Sequence, residues 1–202
     1  MKNILLIVDP QNDFITGTLP VEGAAEKMMK LTEYIHNKGN NYDYILITLD
    51  SHPKDHCSFK DNGGIWPEHC VAYTTGWLIP PYLEMVLKDR KGVACYHKGD
   101  VSDKEEYSIF ENEEDGYTLT KQLKDIIQNG DDVFIDVCGI AGDYCVLETL
   151  KGLSKIVGTN NISVLNEFTA SIDGGIKLNN YLENTGINNI IDSSLNLQEY
   201  VR

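Results

Sequence analysis

Val133-Phe134-Ile135-Asp136-Val137-Cys138-Gly139-Ile140-Ala141-Gly142-Asp143-Tyr144-Cys145-Val146 starts as a β-rich apolar run, breaks into small residues, and continues into a segment of helical period. Asp132 to Val137 reads as a buried strand, the small residues after it as a tight turn, and Asp143 to Val157 as a helix. The same unit recurs outward along the chain. Asn3 to Val8, Tyr44 to Leu49, Gly92 to His97 and Ile162 to Leu165 read as further strands, with Ile187 to Ile191 a sixth. Between them, Ala24 to Lys38 spaces Met28, Leu31 and Ile35 along one helical face, and Leu119 to Gln128 does so with Leu123, Ile126 and Ile127. Strand alternating with helix argues a parallel sheet covered on both faces. The expected fold class is therefore α/β: a three-layer α/β/α arrangement around a mostly parallel, Rossmann-like sheet of about six strands.

Open sheets of this kind bind ligands outside the carboxyl ends of their strands, which directs attention to the residues just after each run. Asp9 follows the first strand, Asp50 the second, Lys98 the third, and the turn before Cys145 the fourth. Taken singly, each has an ordinary reading: Asp9 as a turn cap, Lys98 as a solvated lysine, Cys145 as a small buried hydrophobe. Taken together, they bring a carboxylate, an ammonium and a thiol to one edge, and a carboxylate beside a thiol can serve as its base. A helix N-terminus behind Cys145 is expected to lower its pKa and to offer N–H groups to an oxyanion.

Two segments break the alternation, Asp50 to Pro81 and Gly99 to Gly116, and long loops in a compact fold are usually functional or disordered. The first carries Asp50-Ser51-His52, His56 and Trp66-Pro67-Glu68-His69-Cys70. One aspartate with two or three histidines suits zinc, iron or manganese and leaves coordination positions open. The competing reading is a polar loop with chance histidines. Four of the five histidines fall between positions 52 and 97, which favours the metal.

Composition removes other classes of function. The chain has 202 residues, 42% of them hydrophobic, and no Pro/Gly/Ser linker, so residues 1–202 are expected to form a single domain. Its net charge of -14 repels phosphate backbones and anionic lipid, arguing against nucleic acid and membrane surfaces as partners. Ile4 to Val8 is too short for a signal-peptide core, and no run approaches the ~20 residues of a spanning helix, so a cytoplasmic protein is expected. Five cysteines with no Cys-x-x-Cys pair do not form a disulfide framework, and free thiols are expected. No Gly-x-Gly-x-x-Gly follows the first strand, which removes a dinucleotide-dependent dehydrogenase.

In order along the chain, five segments resemble the nicotinamidase branch of the isochorismatase-like cysteine hydrolase family. They are Val8-Asp9-Pro10-Gln11-Asn12-Asp13-Phe14; Asp50-Ser51-His52-Pro53 with His56 and Ser58-Phe59; Trp66-Pro67-Glu68-His69-Cys70-Val71; Lys98-Gly99 with Tyr107-Ser108-Ile109-Phe110; and Cys138 to Val146. The resemblance implies Asp9 as base, Lys98 as electrostatic partner and Cys145 as nucleophile. It implies one divalent metal, zinc first with iron or manganese also accommodated, on Asp50, His52 and His69, with His56 near it as a ligand or through water. Phe14, Trp66 and Tyr107 would line a ring pocket that Tyr144 also shapes, and a cis non-proline peptide before Ala141 would direct the N–H groups of Ala141 and Cys145 at the amide oxygen. The implied reaction converts nicotinamide, and by extension pyrazinamide, to the acid and ammonia through a thioester, feeding recovery of NAD precursors. A homo-oligomer is compatible with the resemblance. Two positions depart from the commoner pattern: Gly142 stands where Thr is often found and Tyr144 where His is frequent.

A sister hydrolase acting on another small amide, ureido compound or enol ether would use the same Asp9, Lys98 and Cys145, but would not need the metal ligands. A non-catalytic metal- or ligand-binding module would not need a lysine and a carboxylate converging on a thiol. A redox pair of Cys138 and Cys145 lacks the Cys-x-x-Cys spacing.

Overall fold

The computed structural model describes residues 1–192; positions 193–202 of the expected domain lie outside the described residues. Six strands, β1 (Lys2–Val8), β2 (Tyr44–Asp50), β3 (Val93–Lys98), β4 (Val133–Ile140), β5 (Ile162–Ala170) and β6 (Asn188–Ile190), form one sheet in the order β3-β2-β1-β4-β5-β6. Every pairing is parallel. The order reverses between β1 and β4, which creates a switch point at their carboxyl ends.

The chain fills three layers because β1 is apolar at every position from Ile4 to Val8. Leu5 and Ile7 point into a core formed with α2 (Ala24–Lys38) and α3 (Pro81–Leu87), where Met28, Leu31, Ile35, Leu83 and Leu87 are buried. Ile4, Leu6 and Val8 point to the opposite core, closed by α4 (Asp115–Gln128), α5 (Leu147–Val157) and α6 (Ile176–Thr185) through Leu119, Leu123, Leu150, Leu153, Leu178 and Leu182. Of the residues expected on the inner face of α4, Leu123 is buried but Ile127 is 40% exposed, because the helical face turns away after Ile126.

The expected strands are all present, with altered limits. β4 runs on through Cys138-Gly139-Ile140, a stretch that reads as a turn because of its glycine. Gly139 has φ +128, and a side chain there would strike the backbone of Val8, so glycine lets β4 stay paired to β1 up to its last residue. β5 likewise runs past Leu165 to Ala170, with a register shift against β4 between Val137 and Gly139. Helix α4 begins at Asp115 inside the expected loop, since Asn112 Oδ1 accepts from the N–H groups of Glu114 (3.0 Å) and Asp115 (2.9 Å). The short helices α1 (Asn12–Ile15) and α3 carry too few residues to show a period; α3 starts with a proline at its first position.

One buried polar network lies away from the strand ends. Asp136 in β4 is 4% exposed and accepts from Tyr42 Oη (2.6 Å) and from Ser163 Oγ, while Tyr34 Oη and Tyr42 Oη are 2.8 Å apart. Burial raises the Asp136 pKa, and the Ser163 and Tyr42 hydroxyls oppose that rise. Tyr42→Phe is expected to cost about 1–3 kcal/mol at neutral pH, because it leaves a buried carboxylate short of a donor. Losing that donor raises the folded-state pKa further, so the deficit is full above that pKa and shrinks as pH falls through it. Urea unfolding of both proteins at several pH values measures this; a deficit that grows on acidification would contradict it.

Candidate active site

The carboxyl ends of β1 to β4 bring Asp9, Asp50, Lys98 and Cys145 together. Asp50 and Lys98 are register partners across β2 and β3. Val8 is paired with both Thr48 and Gly139, so Asp9, one residue on, lies over the switch point. Asp9 adopts φ +48, a left-handed conformation that aspartate tolerates better than most residues, and its N–H donates to Thr48 O (3.0 Å). Its side chain caps no helix. Oδ1 accepts from Thr48 Oγ1 at 2.6 Å and Oδ2 stands 2.9 Å from Lys98 Nζ.

Lys98 is completely buried. Its ammonium is paired with Asp9 and Asp50, donates to Glu106 O (3.3 Å), and lies 3.6 Å from Cys145 Sγ. A buried charge in a folded protein is normally paired, and burial, which disfavours the Lys98 ammonium, is overcome here by Asp50 and Asp9, carrying its pKa well above the ordinary lysine value. Asp50 is held by Lys98 and His52 below the usual carboxylate range despite its burial. Burial pushes the Asp9 carboxyl up, Lys98 opposes this and Asp50 adds to it.

Cys145 lies in a turn of π-helix, Gly142–Val146, that precedes α5 and follows a cis peptide between Ile140 and Ala141. The N–H groups of Tyr144 (3.1 Å) and Val146 (3.0 Å) both donate to Ala141 O, and that of Cys145 makes neither bond. The expectation that the helix start lowers the thiol pKa is corrected: burial pushes Cys145 well above the ordinary thiol value, with Lys98 pulling it down and Asp9 and Asp50 pushing it up. Oxygen atoms of Asp9 and Asp50 lie within 4.8 Å of its sulfur.

Beside this group, ligand atoms of Asp50, His52 and His69 lie within 4.8 Å of one another. His52 Nδ1 is 2.8 Å from Gly99 O, and His69 Nδ1 is 2.8 Å from Pro67 O. Each carbonyl fixes the proton on Nδ1, so the Nε2 lone pairs face Asp50 Oδ2 at 3.6 Å and 4.0 Å. His52 Nε2 is buried without a hydrogen-bond partner among the described residues. A buried orphan lone pair, a second imidazole lone pair and a carboxylate oxygen form a donor set that fits a divalent metal. Gly99 makes room for it: at φ +67, a side chain at this position would meet the His52 ring at 2.5 Å. His56 stacks on His52 with ring centroids 4.0 Å apart, but both its nitrogens are engaged, Nδ1 with Ser58 Oγ (2.7 Å) and Nε2 with Lys104 O (2.9 Å). Its lone pairs are therefore committed in a way that those of His52 and His69 are not.

A narrow cleft leads to Cys145 and is walled by Phe14, Trp66, Tyr107 and Tyr144, with Asp50 and His69 also facing it. Phe14 packs on His69 (centroids 5.4 Å apart), and Trp66 Nε1 donates to Tyr107 Oη at 3.1 Å. A wider groove along α2 and α6, lined by Glu22, Lys27 and Asn179 among others, contains none of these groups. All the residues singled out in the sequence thus converge, with His56 at the margin.

Sequence reading missed Gln11, Glu105 and Glu106. Gln11 is buried and grips the Asp50 backbone from both sides, accepting from its N–H (2.8 Å) and donating to its carbonyl (2.7 Å). Glu106, 1% exposed, accepts from Gly99 N at 2.9 Å and so braces the strand end that carries Lys98. Glu105 lines the cleft and has an oxygen within 4.8 Å of His52 and His56. The available signal was an adjacent acid pair at the end of an irregular segment.

The fold and the composition of this edge are those of an isochorismatase-like α/β protein. No family model matches the chain. It is 37% identical over 152 residues to the nicotinamidase/pyrazinamidase of Mycobacterium tuberculosis, covering 73% of this chain and 76% of that protein. Among solved structures it resembles a pyrazinamidase of Pyrococcus horikoshii in complex with zinc (TM-score 0.75, 28% identity, 94% of this chain and 99% of the other). It also resembles an L. infantum protein in complex with nicotinate (TM-score 0.76, 28% identity, 93% and 91%). The chain belongs to the nicotinamidase/pyrazinamidase family.

Proposed function

We propose that this chain hydrolyses nicotinamide to nicotinic acid and ammonia, with pyrazinamide as a second substrate, and so supplies acid for the recovery of NAD precursors. The observation that carries this reading is the convergence of Asp9, Lys98 and Cys145 with the adjoining Asp50, His52 and His69 donor set at one small aromatic cleft. Relatives named for nicotinamide and pyrazinamide hydrolysis, and the zinc and nicotinate complexes of structural neighbours, support it.

Asp9 takes the proton from Cys145 Sγ as the sulfur forms a bond to the carboxamide carbon, and the C=O electron pair moves onto oxygen. The N–H groups of Ala141 and Cys145 hold that oxyanion. On collapse the C–N bond breaks, Asp9 returns the proton to nitrogen, and ammonia leaves a thioester. Asp9 then takes a proton from water as its oxygen attacks the thioester. The C–S bond breaks, and the same proton restores the thiol. Lys98 opposes the upward push of burial on the Asp9 carboxyl and so favours the ionised form that accepts the thiol proton. Phe14, Trp66 and Tyr107 sandwich and orient the ring. Asp50, His52 and His69 would hold a divalent metal, zinc first, which when bound supplies a docking point for the ring nitrogen, a positioning role.

Ammonia release from nicotinamide by the purified protein tests the reading. Activity is expected to fall at least tenfold on chelation and to return with zinc, iron or manganese. A folded, metal-loaded protein that releases no ammonia would sink it and move attention to other small amides.

A further inference from the structure

The two positions that depart from the family's common pattern, Gly142 and Tyr144, are tied to a loop outside the catalytic group. A side chain at Gly142 would strike Ser171 Oγ and crowd Leu178 and Thr169, so the turn bearing Cys145 packs flush against the segment that follows β5. Asp143, 4% exposed, fixes that segment: its Oδ1 accepts from Ile172 N (2.9 Å) and its Oδ2 from Asp173 N (3.1 Å). The carboxylate of Asp173 in turn accepts from the N–H groups of Gly175 (2.9 Å), Ile176 (3.1 Å) and Lys177 (3.0 Å) at the start of α6. This places Lys177 Nζ 4.7 Å from the centre of the Tyr144 ring, within cation–π range. The Tyr144 ring meets Trp66 edge-on at 5.0 Å and Tyr107 at 5.5 Å, and Tyr144 and Ile172 both line the cleft that contains Cys145.

We propose that the segment between β5 and α6 is the size-selective wall of the substrate cleft: Lys177 positions Tyr144, Asp143 positions Ile172, and together they restrict the site to carboxamides of a single six-membered heteroaromatic ring. The inference rests on the amidohydrolase reading above and deepens it. Tyr144 contributes to the cleft wall an aromatic ring met edge-on by Trp66 and faced by the Lys177 cation. A fused second ring on the substrate needs the volume this wall occupies. Lys177 touches neither substrate nor reacting atoms and acts only through Tyr144.

The test compares kcat/KM for nicotinamide with that for quinoline-3-carboxamide, the same carboxamide with a fused ring, in the metal-loaded wild-type protein, Tyr144→Ala, Lys177→Met and Lys177→Arg. The quinoline-to-nicotinamide ratio is expected to rise about tenfold or more in Tyr144→Ala, the scale on which apolar pockets discriminate by size. It is expected to rise about 2- to 5-fold in Lys177→Met, as suits an exposed cation–π contact, and to stay at the wild-type value in Lys177→Arg, whose guanidinium keeps a cation over the ring. A general loss of structure would lower both rates and leave the ratio alone. If the wild type hydrolyses nicotinamide but the ratio stays within twofold in both Tyr144→Ala and Lys177→Met, the wall is overturned while the function stands. If Tyr144→Ala does not fold, the surface pair Lys177→Met and Lys177→Arg decides the matter. A wild type inert on nicotinamide overturns the functional reading and the wall with it.

Discussion

Cys145→Ala is expected to reduce ammonia release from nicotinamide by about four orders of magnitude or more, the scale on which loss of a nucleophile acts when the rest of the site remains. The reason lies in the protonation of the resting site. Burial pushes the Cys145 thiol up, so reactivity depends on a neighbour that takes its proton as the substrate is attacked, and Cys145 is the thiol that the described residues group with Asp9 and Asp50. Cys138 is also buried, but burial first and Asp136 second push its thiol up, and it lies in the core on the α2 and α3 side of the sheet. The fold should survive the change. Lys98 keeps both carboxylate partners without the sulfur, and the substitution removes one atom from the wall of an open cleft. The content of any bound metal should be unaltered, because the His52 and His69 lone pairs are oriented by Gly99 and Pro67 carbonyls that do not involve Cys145. The exposed thiol of Cys95 provides the control: Cys95→Ser should retain activity within about twofold. Activity in Cys145→Ala above about 1% of wild type, with normal circular dichroism and metal content, would remove Cys145 from the nucleophile's role.

The sheet was readable in the sequence because its strands are buried on both faces and therefore appear as apolar runs, with Ile4 to Val8 and Ile45 to Ile47 the clearest. What was hidden depends on contacts distant in the chain. β4 continues through Gly139 only because the Val8 backbone lies against it, and α4 starts early because Asn112 Oδ1 caps it while Asp100 and Glu106 hold the amide nitrogen. The site was legible wherever a residue's type is itself unusual, as with the histidines after β2 and a lysine at a strand end. It was illegible wherever an ordinary residue works by position. Nothing in Gln11 or Glu106 as letters signals that one grips the Asp50 backbone and the other braces Gly99. The direction expected for the Cys145 pKa differed for a related reason: a helix start is visible in sequence, whereas the burial and the two carboxylates that push the thiol up come from the fold, the carboxylates from the ends of β1 and β2.

Lys98→Met should be the most destabilising single change at this edge, costing about 3–5 kcal/mol of folding free energy as well as all measurable turnover. Methionine matches much of the lysine's volume, so the loss is electrostatic rather than a cavity. It leaves Asp9 and Asp50, both buried and within 4.8 Å of each other, without the ammonium that pairs with both. Lys98 is the group that opposes the upward push of burial on Asp9. Without it Asp9 is driven toward its neutral form and no longer accepts the thiol proton. Since the folded-state pKa of Lys98 lies above its ordinary value, its stabilising contribution is fully present below the unfolded-state value of about 10.4 and is lost only as pH rises through the folded one. The deficit should therefore be measurable at neutral pH. A double-mutant cycle separates charge from packing. Asp9→Asn in the Lys98→Met background removes one of the two stranded carboxylates and should restore about 1–3 kcal/mol of stability while leaving activity absent. In the wild-type background the same Asp9→Asn change should destabilise, because it deprives a buried ammonium of one of its two anions. Guanidinium unfolding of the four proteins reads the coupling directly. Effects of Asp9→Asn that are equal in both backgrounds would show that the two residues do not act on each other and would remove Lys98 as the group that sets the charge of the base.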